Sequence, residues 1–190
     1  MNLTFQRFDA EAARAARATV EAVFRSGYAA AIESGIPFDT PEAFMRRFDA
    51  YARNPALDLV IAYADGEPVG QTWGWPLTAG SAWWGGLDHE PEPGFAAEDG
   101  TRTFALSEIM VIRERTGQGI AHALHDQLLR GRHEQRATLL AEPENVTAYR
   151  AYVRWGWQAV AKLRPGWPDA PLFDVLVLPL PLESASGVVD

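Results

Sequence analysis

The sequence predicts an α/β fold of the α+β type, with about seven strands and about four flanking helices, arranged as one domain over residues 1–182. Three observations carry this expectation. Short apolar runs alternate with segments of helical periodicity along the chain; Asp65-Gly66 joins two apolar runs as a hairpin; and a strand feeds a helix through a glycine-bearing turn in "MVIRERTGQGIAHALHDQLL", Met110 to Leu129.

"LTFQRF" (Leu3 to Phe8) reads as the first strand, and an alanine-rich helix follows from about Asp9 to Phe24 with Ala12, Ala16, Val20 and Val23 near one face. Thr40-Pro41-Glu42 opens a second helix: the threonine hydroxyl caps the first turn, and proline's fixed φ suits a first helical position that needs no N–H. In "DLVIAYADGEPVGQTWGWPL", Asp65 and Gly66 accept the positive φ angles of a tight turn, so two antiparallel strands follow. Residues 76–102 carry Gly80, Gly85, Gly86, Pro91, Pro93, Gly94 and Gly100, too many breakers for a regular element, and are expected to form a long functional or mobile loop. "FALSEIMVI" is then a strand, "GIAHALHDQLLRGR" a helix, "ATLLAEP" a strand and "NVTAYRAYVRW" a helix, with "WQAVAKL" and "FDVLVLPL" as closing strands. The small, polar residues 183–190 are expected to be a flexible tail.

Composition narrows the function. The 190 residues contain no cysteine, which excludes a disulfide framework, thiolate metal ligands and a cysteine nucleophile. A net charge of -8 repels a phosphate backbone, so no nucleic acid partner is expected. No stretch approaches the roughly 20 apolar residues of a membrane span, and the first residues lack a signal-peptide pattern; the expectation is a cytoplasmic protein with no membrane partner.

The glycines at 117 and 119 stand between a strand and a helix supported by Ile120, Ala123, Leu124 and Leu128. Such a turn gathers unpaired N–H groups and the positive end of the helix dipole, a cradle for phosphate; a plain tight turn is the other reading. A nucleoside triphosphate loop is excluded, since no Lys followed by Ser or Thr comes after the second glycine. A dinucleotide fingerprint needs glycine or alanine where His122 stands, although Glu142 keeps a nucleotide-binding oxidoreductase as an alternative.

Together "RTGQGIA" and "ENVTAYRAYVRWGW" resemble the GCN5-related N-acetyltransferase (GNAT) superfamily. The first matches its phosphate-binding signature at Gly119 and Ala121, with Thr116 standing where the family has Arg or Gln; the second meets its spaced pattern at Asn145, Ala148, Tyr152, Gly156 and Trp157. The resemblance implies a bent sheet that splays between its fourth and fifth strands and takes acetyl-CoA as co-substrate. It implies that backbone groups of Ile109, Met110 and Val111 meet the pantetheine arm, and that Thr116, Gly117, Gln118, Gly119, Ile120 and Ala121 hold the pyrophosphate, with Arg113 or Arg115 at the exposed phosphate. Asn145, Ala148 and Tyr149 would line the pantetheine or acceptor side, and Tyr152 would be the catalytic acid. The implied reaction is direct transfer of acetyl to a primary amine, small-molecule or peptide, in a ternary complex. The alternative is a non-catalytic acyl-CoA-binding or regulatory module. A homodimer through the last strands is also an expectation of the family.

Glu108 interrupts an otherwise apolar strand, so it is either a general base in a cleft or a carboxylate paired with a neighbouring arginine. Trp73, Trp75, Trp83, Trp84 and Tyr28 are candidate acceptor-binding residues. Asp88, Glu90, Glu92, Glu98 and Asp99 in the long loop suggest a cationic acceptor. His122, His125 and Asp126 could suggest a metal site, but His122 and His125 fall one turn apart on what periodicity makes the outer side of a helix, with no third ligand evident beside them, so no metal is expected.

Overall fold

Alternating apolar residues and one sharp turn build the first half of the sheet. Strand β1 (Leu3–Phe8) pairs antiparallel with β2 (Asp58–Ala64), and β2 with β3 (Glu67–Pro76). Between the last two, Asp65 and Gly66 adopt φ of 52° and 91°, the left-handed pair that the dipeptide supplies at low cost. The computed structural model describes residues 2–182; the tail expected at 183–190 lies outside the described residues.

Strand β4 (Thr103–Val111) continues the antiparallel run, and β5 (Arg136–Ala141) lies parallel to it. Strands β6 (Gln158–Leu163) and β7 (Phe173–Pro179) complete seven strands in the order β1-β2-β3-β4-β5-β7-β6. Opposite Trp73 stands Glu108 and opposite Gly74 stands Leu106, so Ser107 is an extra residue in β4. Strand crowding there requires a glycine: a Cβ at Gly74 would lie 2.2 Å from the Ala105 carbonyl oxygen.

Six α-helices flank the sheet among the described residues, two more than expected: α1 (Ala10–Ala15), α2 (Arg17–Gly27), α3 (Ala29–Glu33), α4 (Pro41–Tyr51), α5 (Ile120–Leu129) and α6 (Val146–Arg154). The alanine-rich segment breaks at Ala16, where ψ opens to 6°, and on either side of the break Arg14 donates to the Ala52 carbonyl (2.7 Å) and Arg17 to Asp49 (2.8 Å) at the far end of α4. Its buried face is consequently led by Ala13, with Ala12 and Ala16 only half-buried.

One face of the sheet is covered by α2 and α4, whose Val20, Val23, Phe24, Phe44 and Phe48 pack around Trp73. The other face is covered by α5 through Ile120, Leu124 and Leu128. Each fully buried large side chain contributes on the order of 1.5–3 kcal/mol. No helix among the described residues is long and apolar enough to cross a membrane.

The 76–102 segment is irregular except for one short 3-10 turn at Ala82–Trp84, and it packs against the sheet. Phe95 and Trp84 are buried, the Arg136 guanidinium sits 4.1 Å over the Phe95 ring, and Leu87 bridges to Leu163 of β6.

Candidate active site

Strands β4 and β5 pair only from Thr103 to Ala105 against Arg136 to Thr138; beyond that point they separate while β4 runs on to Val111. The Ile112 N–H donates to the Val69 carbonyl (2.9 Å), and a Cβ at Gly70 would meet the Met110 carbonyl oxygen at 2.9 Å, so Met110 turns its backbone groups toward β3. Strand alternation then turns those of Ile109 and Val111 toward the opening.

At the mouth of this opening stands the glycine turn. Gly117 and Gly119 adopt φ of 75° and 80°, and open space surrounds the Cβ position of each. Gly119 is the N-cap of α5 and brings no side-chain acceptor, whereas α1, α4 and α6 are capped by Asp9, Thr40 and Asn145. The first-turn N–H groups of α5, including those of Ile120 and Ala121, therefore have no side-chain partner from the cap and present positive potential outward. Thr116 and Gln118 are exposed and hydrogen-bond back to the carbonyls of Arg113 (2.9 Å) and Glu114 (3.4 Å), which tightens the turn. Arg113 is exposed and Arg115 half-buried at its base.

Deeper in, β4 delivers Glu108. Tyr28, the C-cap of α2, donates to its Oε1 at 3.4 Å. Burial raises the Glu108 carboxyl to about 7, against the opposing effects of Arg47 and the Tyr28 hydrogen bond. It is therefore a carboxylate poised between its two protonation states near neutral pH.

Helix α6 delivers Tyr152 by local chemistry that can be read off the backbone. Gly156 takes φ of 95°, its N–H bonds the Val153 carbonyl (3.1 Å), and the Trp157 N–H bonds the Tyr152 carbonyl (3.1 Å). That is a Schellman stop, and its usual apolar contact is present as the Tyr152 and Trp157 rings 6.4 Å apart. Burial, and next the Glu108 charge, push the Tyr152 hydroxyl well above its ordinary pKa, so it stays a protonated donor. The same Glu108 charge, first, and burial raise Tyr28.

A family model described as the acetyltransferase (GNAT) family matches residues 25–157, from the end of α2 through the glycine turn to Trp157. The chain belongs to this family. It is an acyltransferase on that membership. No curated protein matches the sequence. Solved structures share the GNAT fold at low identity. PaiA N-acetyltransferase from Thermoplasma acidophilum, in complex with coenzyme A, is 13% identical with a TM-score of 0.55 over 95% of this chain and 100% of its own. The yncA protein of Salmonella typhimurium, with its cofactor acetyl-CoA, is 13% identical with a TM-score of 0.60 over 100% of both chains. Aminoglycoside acetyltransferase AAC(6')-Ib, with coenzyme A, is 15% identical with a TM-score of 0.58 over 94% of this chain and 95% of its own.

Around this GNAT centre the expected residues divide. Asn145 Oδ1 caps α6 by accepting from the Ala148 N–H (3.2 Å), and Tyr149 donates to Asp174 of β7 (2.9 Å), so both side chains have structural partners; Ala148 is half-buried beside them. Trp73 belongs to the core between Phe44 and Phe48, and Trp84 donates to Glu98 (3.0 Å) beneath the long loop. Trp75 and Trp83 form an aromatic wall with Tyr51, whose ring lies 4.7 Å from that of Trp75.

The acidic loop engages its own carboxylates. Asp88 accepts from the Lys162 N–H (3.0 Å), Glu90 from Gly94 (2.9 Å) and Asp99 from Thr101 (2.8 Å), while Glu98 pairs with Arg136 and Glu92 with Arg102. Backbone N–H bonds hold Asp88 and Asp99 below the usual carboxylate range, so both stay ionised at the surface.

His125 also departs from expectation: it is 2% exposed and faces inward. Its Nε2 accepts from Trp157 Nε1 (3.1 Å), which assigns the hydrogen to Nδ1, donating to Asp126 (3.0 Å). Ligand atoms of His122, His125 and Asp126 lie within 4.8 Å of one another, but both His125 nitrogens are engaged and His122 stacks on Trp155 at 5.0 Å.

Four further residues join the site. Arg47, Asp39 and Tyr51 share the electrostatic environment of Glu108, and Trp167 donates to the Tyr51 hydroxyl (2.8 Å). The available signal was spacing: Phe44, Arg47, Phe48 and Tyr51 recur at three and four, which puts an arginine on the buried face of α4.

Proposed function

We propose that this chain is an acetyl-CoA-dependent N-acetyltransferase acting on a primary amine by direct attack in a ternary complex. The observation that carries the reading is the side-chain-free N-terminus of α5, which follows the strand bordering the β4–β5 opening, the same strand that carries Glu108, whose charge acts on Tyr152. Acetyl-CoA supplies a thioester carbonyl and a thiolate leaving group when bound. The turn from Thr116 to Ala121 fits a pyrophosphate, because no Cβ intrudes at Gly117 or Gly119 and the helix dipole favours the anion. Backbone groups of Ile109 and Val111 face the acyl arm and orient it.

Glu108, with its carboxyl near 7, attracts the acceptor ammonium and accepts its proton, releasing the free amine for attack. Tyr152 stays protonated and donates a hydrogen bond to the sulfur as charge develops there. Because its acidity is far below that of a thiol, whose unperturbed pKa is about 8.5, hydrogen bonding rather than complete proton loss is its main contribution. A covalent cysteine intermediate is excluded by composition.

The test is a thiol-release assay with acetyl-CoA across a panel of small amines and peptides with free N-termini. Amine-dependent release supports the reading. Acetyl-CoA binding without release with any amine would favour the non-catalytic module.

A further inference from the structure

Between α4 and the β6–β7 connection lies a cavity of about 190 Å³ whose walls include Thr40, Arg46, Arg47, Trp167 and Asp169. Drug-sized sites occupy roughly 300–1,000 Å³, so this one suits a compact group. Arg47 is half-buried in its wall, with the guanidinium carbon 3.7 Å above the Phe38 ring and Nη1 donating to the Phe38 carbonyl (2.8 Å). Five N–H donors radiate from a guanidinium, and the stacked ring covers only its flat side.

Arg47 forms no ion pair among the described residues, and neither does Arg46. The other strongly enclosed arginines behave differently: Arg132 pairs with Asp58 and Glu134, and Arg136 with Glu98. A half-buried cation without a carboxylate partner is costly, and this chain has acid to spare at a net charge of -8. Two adjacent arginines therefore face one cavity, with Asp169 the single acidic wall residue among those lining it. The same Arg47 lies close enough to Glu108 and Asp39 for their charges to act on it.

We infer that the acceptor is an amine that also carries a carboxylate, held at that end by Arg47 with Arg46 at the rim while its amine end meets Glu108. The assignment rests on the acetyltransferase reading and deepens it. Trp167 adds an apolar wall at the carboxylate end.

The test uses matched pairs of amines, each amino acid beside the amine that lacks its carboxylate, with amine-to-carboxylate spacings from one carbon to several and with aliphatic and aromatic side groups. Specificity (kcat/KM) is measured by thiol release for wild type, Arg47→Gln, Arg47→Lys and Arg46→Gln. The expected result is a wild-type preference of at least about tenfold for the carboxylate member of one or more pairs, the range of a hydrogen bond to a charged group. Arg47→Gln should lower that ratio about tenfold to a hundredfold, Arg47→Lys should restore part of it, and Arg46→Gln should have the smaller effect. The acetyl-CoA thermal shift of each variant shows that it is folded. A wild type that prefers the carboxylate-free member of every pair, or variants whose ratio does not move, would overturn the inference while leaving the acetyltransferase reading intact. If no amine turns over, the acetyltransferase reading fails, and the inference is then decided by calorimetric titration of the N-acetyl amino acids in the presence of coenzyme A. Binding weakened by Arg47→Gln supports it, and no binding overturns it.

Discussion

Tyr28 donates its phenolic hydrogen to Glu108 across 3.4 Å, tying the end of α2 to the strand that borders the opening of the sheet. This bond favours the ionised carboxylate, while burial works against it and prevails, leaving the group near 7. The kcat/KM profile should therefore fall as pH drops through about 7. Tyr28→Phe removes a bond to the charged form, so the acid limb should move to higher pH. A pH profile of wild type and Tyr28→Phe checks the direction of that movement.

Stability should carry the same signature with a defined sign. The folded-state pKa of Glu108 is raised above its unfolded value, so between about 4.5 and about 7 the native state binds the extra proton and loses stability as pH rises. Glu108→Gln removes that loss. Its melting temperature should exceed that of wild type by at least about 2 °C at pH 8, with the gap closing as pH falls toward 5. Thermal melts across that range, with an equal gap at every pH as the contrary outcome, settle the matter.

Gly119 combines a left-handed backbone with open space for a ligand. Gly119→Glu should abolish the thermal shift produced by acetyl-CoA, because it adds both bulk and negative charge at the anion end of the helix. Retention of the full shift in a folded variant would show that the cradle lies elsewhere.

Tyr152→Phe keeps the ring against Trp155 and Trp157 and deletes only the hydroxyl. Turnover should fall about tenfold to a hundredfold, the range of a hydrogen bond to a charged group, with acetyl-CoA affinity and melting temperature close to wild type. Steady-state kinetics beside a binding titration separate this from a packing role.

Much of the frame was legible because its signals are local. Asp65-Gly66 carries its own turn geometry, Thr40-Pro41 its own cap, and Asn145 to Trp157 both a cap and a stop within one helix. Glycines 117 and 119 were readable for the same reason. Misreadings arose where a residue's partner is remote in sequence. The loop acids Asp88 and Glu98 look free until folding brings Lys162 and Arg136 against them, and His125 looks peripheral until Trp157 arrives from the next helix end. Arg47 escaped for a related reason: helical spacing puts it on a buried face, but only the β6–β7 connection makes that face a cavity.

The most direct measurement is detection of the N-acetylated amine itself. Purified protein is incubated with isotopically labelled acetyl-CoA and the amine panel, and products are followed by mass spectrometry for wild type, Gly119→Glu and Glu108→Gln. Labelled acetyl should appear on the amine of at least one acceptor with wild type, disappear with Gly119→Glu, and fall about 10²- to 10⁴-fold in rate with Glu108→Gln at neutral pH. Labelled product on no amine, or product formed equally by all three proteins, would contradict the account.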